Sequence, residues 1–436
     1  MKKHDDFFMF ILICIIFLFS TFGSNVLSIS TPIGEMYVLR IAILLLCIAF
    51  ILIKLNKKNK TKGLSGKYSV FWLFLLLYSL IQLLWVKDFI EWFKNFFIFF
   101  EVFLFFFIFP SVLNTKKRFV ICLYLLEVSI VVQMIIGGYE AFTGNYMVQT
   151  KYVETYIRLQ GLSSTGFYTP VAMMYNPNDF ATTLIVGACV AVILFNQSKN
   201  VFVKFAHLIV FFACAPLIYF ADSRACLIAY GLLIVLYVFF FIKKRFVKRL
   251  FVIFLIAAGF YIIPRLTQFF FDTSMAESDN VRLSLIFDGF YILISTLFMG
   301  VGFGQVGWWY SNKHHFSQGV VLIPHNWWIE AMMTFGLLFF VLYLWLYFGE
   351  LKSLVIFSKK THNNKEQTMC KGFTIFLIVF IMLSISSSSL FKAEYIWAFF
   401  ALINSFVGYA SKLNNKRKTF APVLPGRVNE TLCTDM

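Results

Sequence analysis

Charge is what this sequence has least of. Asp, Glu, Lys and Arg make up 14% of its 436 residues, where ordinary soluble domains carry about 25%. Acidic residues are the scarcer kind, 21 against 38 Lys and Arg. CxxC pairs and Cys/His ligand spacings are also missing. Most of the 8 cysteines (Cys14, Cys47, Cys122, Cys189, Cys214 and Cys226 among them) sit inside apolar runs, which excludes a disulfide framework and a structural zinc site. No internal repeat, heptad or low-complexity block is visible. After Met1-Lys2-Lys3 and the first apolar run, the stretch from Ser20 to Ser30 has no convincing small-x-small cleavage site, so that run is expected to remain as a span. Hydrophobic residues reach 60%, with 58 Phe. A soluble enzyme, a secreted disulfide scaffold and a disordered chain are all excluded.

What the chain has instead is a series of apolar runs near or above the roughly 18–20 residues that cross a bilayer. About twelve are legible, near 7–23, 37–53, 68–86, 95–113, 119–137, 180–195, 205–220, 225–242, 250–263, 327–349, 372–390 and 395–410. The expected fold is all-α, a polytopic integral membrane protein with about 12 transmembrane helices. Residues 1–410 form one membrane domain, and 411–436 a basic, disordered cytoplasmic tail.

The net charge of +17 then reads as topology. Connections 54–67, 114–118, 243–249 and 351–371, with both termini, are lysine-rich and belong in the cytoplasm by the positive-inside rule. The alternate set, 137–179, 221–224, 264–326 and 386–394, faces outward. Two of these are long, about 40 and 60 residues, the second lying between late helices, and loops of that length tend to carry function. Nucleic acid is not expected as a partner; membrane lipid is. Residues 283–299 are apolar enough to cross, yet a crossing would turn every later lysine-rich loop outward. With Asp288 in the middle, this segment is expected to lie along or dip into the outer surface.

The distinctive polar residues fall on the outer side. Arg158-Leu-Gln-Gly161 is followed by Tyr175-Asn-Pro-Asn-Asp-Phe180, where Asn-Pro-Asn-Asp is a turn and helix-capping signal. Ala221-Asp-Ser-Arg224 is so short a connection that Arg224 must lie at the membrane boundary. There it either pairs with Asp222 or snorkels, or offers a planar fork to a phosphate. Asp279-Asn-Val-Arg282 opens the surface helix, and Gly300-Val-Gly302-Phe-Gly304 closes it. These glycines suit a tight turn and close backbone approach, because no βαβ unit is present to make them a dinucleotide fingerprint. Pro324-His-Asn-Trp-Trp-Ile-Glu330 enters the tenth span. Asn326 can cap that helix, and His325 can be neutral near pH 7 and accept a proton. One histidine and several arginines on one face suit a reaction on a lipid-linked phosphate or diphosphate.

In the order Arg158…Gly161 with Asn176-Pro-Asn178, Ser223-Arg224, Arg282…Gly302-x-Gly304 and His325-Asn326…Gly336, residues 155–400 resemble the O-antigen ligase and polymerase superfamily. Its members are integral membrane enzymes that join undecaprenyl-diphosphate-linked glycans. The resemblance implies that Arg224 and Arg282, with Arg158, bind the diphosphate of the donor. It implies that His325 is the general base on an acceptor sugar hydroxyl, supported by Asn326, Gly302, Gly304 and Asn178. No metal or cofactor is expected. Glu277-Ser-Asp279 departs from this pattern, since an acidic pair could hold a divalent ion, although a solvated loop explains it too. The expected activity is a glycosyltransferase polymerising lipid-linked repeat units at the outer face of the bacterial plasma (inner) membrane. A ligase passing finished glycan to lipid A-core or another terminal acceptor shares the same motifs. A transporter or flippase is the reading from another class, but such proteins place ionisable groups near the midplane, often in repeated halves. Here Glu101 and Glu127 are the main intramembrane candidates.

Overall fold

A computed structural model describes residues 3–23, 28–31, 34–55, 66–148, 153–154, 161–163, 165–256, 273–317, 324–385 and 390–419. Arg158 lies outside the described residues, as do the side chains of Glu277 and Asp279. The helices are α1 Lys3–Phe19, α2 Val38–Leu55, α3 Lys67–Gln82, α4 Phe89–Val112, α5 Lys116–Thr143, α6 Pro177–Gln197 and α7 Val201–Phe220. They continue with α8 Arg224–Phe241, α9 Thr273–Ser295, α10 Val306–Lys313, α11 Trp327–Phe335, α12 Leu337–Lys360, α13 Asn364–Leu383 and α14 Glu394–Thr419. A two-stranded antiparallel hairpin, Ile29–Thr31 with Gly34–Met36, precedes α2.

Among the described residues eight helices are long and apolar enough to cross a membrane: α4, α5, α6, α7, α8, α12, α13 and α14. The apolar parts of α2 and α3 are shorter. A helix satisfies its own backbone N–H and C=O groups, which is why apolar sequence in a bilayer takes this form. The protein is therefore an all-helical, polytopic membrane protein. Residues 327–349, which read as one span, are divided at Gly336, where φ is +79°. The nine-residue α11 ends there and α12 begins. Helix α14 also runs on to Thr419, past the point where the sequence turns polar.

The phenylalanine content has a structural use. Trp72 of α3 meets Trp397 of α14 edge-on at 5.3 Å and tilts against Phe99 of α4 at 6.0 Å. Phe99 stacks on Phe303 at 3.9 Å and touches Phe335 and Phe391. Each such pair adds about 0.5–1.5 kcal/mol beyond area burial. Lipid tails are as apolar as the side chains, so packing of this kind, rather than expulsion from water, joins membrane helices. The cluster ties α3, α4, α11 and α14 together directly beneath the glycine-rich segment.

Hydrogen bonds, most of them from polar side chains, join several helix termini at one end of the bundle. Ser223, before α8, donates to Asn178 in the first turn of α6 at 2.8 Å. Trp327 N–H, at the start of α11, donates to Ser384 O at the end of α13, at 2.9 Å. Tyr37, before α2, donates to Glu394 at the start of α14. Gln305 accepts from Lys87 and Asp88 N–H, each at 2.9 Å, and donates to Asp88 O at 2.8 Å. That bridge fastens the segment before α10 to the turn between α3 and α4. All the motifs singled out in the sequence that are described belong to this end.

Candidate active site

The described motif residues fall into two groupings. The first lies where α6 and α8 begin. Asn176 caps α6: its Oδ1 accepts from Asp179 N–H at 3.0 Å and its Nδ2 donates to the Asp179 carboxylate at 2.7 Å. The capping reading of the Asn-Pro-Asn-Asp turn thus holds for Asn176. Asn178 instead receives the Ser223 hydroxyl, which fixes the residue before Arg224. Arg224 is the first residue of α8 and half-buried, while Asp222 is exposed with φ +51°.

The chain leading to Asn176 is held from below. Glu140, fully buried in α5, accepts from Val171 N–H at 2.9 Å and Ala172 N–H at 2.7 Å, and Gln133 accepts from Met173 N–H at 3.0 Å. Buried backbone donors left without partners would cost about 1–3 kcal/mol each. These two α5 side chains therefore set the path of the loop.

The second grouping joins α9, the glycine segment and α11. Asn326 caps α11, accepting from Trp328 and Ile329 N–H at 3.0 and 3.3 Å. Its structural role is thereby explained. His325 just before it has φ +47°, a left-handed conformation that is uncommon for a side-chain-bearing residue and characteristic of functional sites. Its Nδ1 is buried with no hydrogen-bond partner among the described residues. Burial, and then the positive charge of Arg282, hold the His325 imidazole below its ordinary value. The structure thus brings Arg282, half-buried on α9, into electrostatic range of His325, 43 positions further along the chain. An imidazole so placed is neutral at pH 7 and able to take a proton.

The glycines behave as the sequence suggested. Gly300, Gly302 and Gly304 have φ of +81°, +98° and +71°. A Cβ on Gly300 would stand 2.4 Å from the backbone N of Gly336, and one on Gly304 would stand 2.5 Å from Glu91 O. Val301 N–H donates to Met333 O at 2.8 Å and Leu337 N–H to Phe298 O at 2.9 Å. Trp85 and Tyr78 of the α3 end donate to Gly300 O and Met299 O, at 2.9 and 2.7 Å. Gly300→Ala is expected to destabilise by roughly 2–5 kcal/mol, combining left-handed strain with overpacking against backbone. A lowered midpoint of thermal unfolding in detergent would register it; an unchanged midpoint would contradict the close packing.

Asp288 was not singled out for chemistry, and the structure gives it an anchoring role. Fully buried in α9, its carboxylate accepts from the N–H groups of His315, Phe316 and Ser317 at 2.6, 2.8 and 2.8 Å. Leu285, Ile292 and Leu293 of α9 pack with Val306, Tyr310, Ile329 and Met333 in a small core of their own. The helix belongs to the structure that supports His325, and a carboxylate three N–H groups satisfy is not an unpaired charge in lipid. Among the described residues no three His, Cys, Asp or Glu groups gather as a metal site.

A third set went unread in the sequence except for Glu101, which stands out there only as an intramembrane carboxylate. Arg40 of α2 lies 3.2 Å from Glu101 of α4, and Tyr37 reaches Glu394 of α14. The available signal was an arginine and carboxylates at the edges of, or inside, apolar runs.

No protein-family model matches the chain. Among curated proteins, it is similar to the teichuronic acid biosynthesis protein TuaE of Bacillus subtilis (strain 168). The two are 24% identical over 352 residues, covering 77% of this chain and 70% of that protein.

Proposed function

We propose that this chain is a membrane glycosyltransferase that polymerises undecaprenyl-diphosphate-linked repeat units into a cell-envelope polysaccharide. In this reading it has about twelve spans, with both termini in the cytoplasm and the motif-bearing end facing out of a bacterial plasma membrane. The similarity to a teichuronic acid biosynthesis protein supports a role in glycan assembly. The observation that carries the mechanism is a half-buried His325 held at φ +47°, its Nδ1 buried and without a hydrogen-bond partner among the described residues, within electrostatic range of Arg282.

His325 accepts the proton of a hydroxyl on the acceptor sugar, which belongs to another lipid-linked repeat. The oxygen forms a bond to the anomeric carbon of the donor as that carbon's bond to the diphosphate oxygen breaks. Undecaprenyl diphosphate leaves with the electron pair. Arg224 and Arg282, with Arg158, neutralise the charge gathering on it. Guanidinium groups suit the task because their planar fork offers paired donors to phosphate oxygens. Fixed positive groups aimed at a developing anion are commonly a large source of rate enhancement.

Deleting the gene and examining glycan on the lipid carrier tests the assignment. Single repeat units accumulating on the carrier are expected. Long chains stranded on the carrier would indicate a ligase, and unchanged surface glycan would refute both. Arg282 offers a finer test. General-base activity needs neutral His325, so the rate falls as pH drops through the His325 pKa. Because Arg282 helps hold that pKa down, Arg282→Gln is expected to move the acid limb of the pH–rate profile to higher pH, besides lowering the rate. An acid limb that stays in place would separate the two residues.

A further inference from the structure

Three helices contribute ionisable or phenolic groups to one buried cluster at the motif-bearing end. Arg40 sits in the first turn of α2 and Glu101 in α4, while Glu394 begins α14. Arg40 Nε lies 3.2 Å from Glu101 Oε1, and both side chains are largely buried. Arg40 Nη1 donates to Glu35 O at 2.8 Å, and its guanidinium lies over the Tyr37 ring, 5.0 Å from the centroid. Tyr37 in turn donates to Glu394.

Such a cluster is expensive within an apolar bundle. An ion pair serving only to lock helices would satisfy itself, and this one does not. Two carboxylates face one guanidinium. Arg40 Nε is not aligned for a hydrogen bond, and Glu101 Oε2 is buried with no hydrogen-bond partner among the described residues. Donor and acceptor capacity is left side by side. The chemistry that matches both is a polyol, whose hydroxyls give and accept hydrogen bonds at once.

The cluster also adjoins the site. The Tyr175 phenol is within electrostatic range of Arg40, and Tyr175 directly precedes the Asn176–Asn178 turn that receives Ser223 beside Arg224. We infer that Tyr37, Arg40, Glu101 and Glu394 form a sugar-binding subsite that recognises hydroxyls of the lipid-linked glycan. The inference rests on the proposed function. It makes Glu101 and Arg40 specificity-determining residues, distinct from those on the diphosphate.

Purified protein in nanodiscs would be given three probes: undecaprenyl diphosphate without sugar, the same carrier bearing the repeat unit extracted from source membranes, and the free oligosaccharide released from it by mild acid. Glu101→Gln and Arg40→Gln are expected to weaken the glycosylated carrier and the free oligosaccharide by about tenfold to a hundredfold, the loss of one or two charged hydrogen bonds. Affinity for the bare carrier should be unchanged. Tyr37→Phe, which keeps the ring and removes only the hydroxyl, supplies a milder variant should the others fail to fold, and should show the same selectivity. Equal weakening of bare and glycosylated carrier, or no weakening, would overturn the subsite. Failure of the wild type to bind the bare carrier would instead overturn the diphosphate reading, while selective oligosaccharide binding would still uphold this one. Turnover then identifies whose sugar is held: a rise in KM for the single-repeat acceptor places the acceptor there, and a rise for the long-chain donor places the donor.

Discussion

His325→Ala is expected to lower polymer formation by about 100- to 10,000-fold, the usual contribution of a positioned general base. The protein should still be inserted and folded, because the helix start does not depend on the imidazole. Asn326 caps α11 with its own side chain, and Trp327 is held by Ser384. Removing the imidazole also relieves nothing in the backbone, since alanine would keep a Cβ at φ +47°. His325→Gly separates the two effects: it loses the base but gains a residue at ease in the left-handed region. Both variants should be equally inactive, with the glycine form at least as stable. In purified protein with lipid-linked donor and acceptor, full turnover by either variant would remove His325 from the chemistry.

The second large effect is expected at Arg224. Arg224→Lys should lower turnover by about 100-fold or more, the scale seen when one donor to a developing anion is lost. The charge is kept, but an ammonium is a point charge on a flexible stem and does not present two parallel N–H groups. The position accentuates this. Arg224 opens α8, and its neighbour Ser223 is pinned to Asn178, so its backbone is fixed and only the head group changes. Measuring bare undecaprenyl diphosphate affinity beside turnover is the decisive comparison. A lysine form with wild-type turnover would make Arg224 a structural residue. One that binds the carrier normally but turns over slowly would place its contribution in the transition state.

Legibility in the sequence followed physical range. Long apolar runs report helices locally, and α4 to α8 emerge close to where hydropathy places them. The glycines announced their positive φ. What stayed hidden was set by distant partners. Nothing around residues 327–349 shows a break as such; Gly336 becomes one because Met299 O stands where its Cβ would be, at 2.5 Å. Asp288 looked like an argument about topology and proved to be the acceptor for three N–H groups some thirty residues on. Arg40, Glu101 and Glu394 are isolated residues along the chain, and only the packing of α2, α4 and α14 makes them neighbours.

The span between Tyr37 and Glu394 sets a schedule. Their hydrogen bond closes over 357 positions, and ribosomes add about 5–20 residues per second. About 20–70 seconds therefore separate the emergence of the two ends. Glu101 arrives early enough to offset Arg40 in the nascent bundle, but the last carboxylate enters only with α14. The cluster is thus completed only once α14 has been made, and a chain cut short before α14 leaves its first helices holding a half-built polar core.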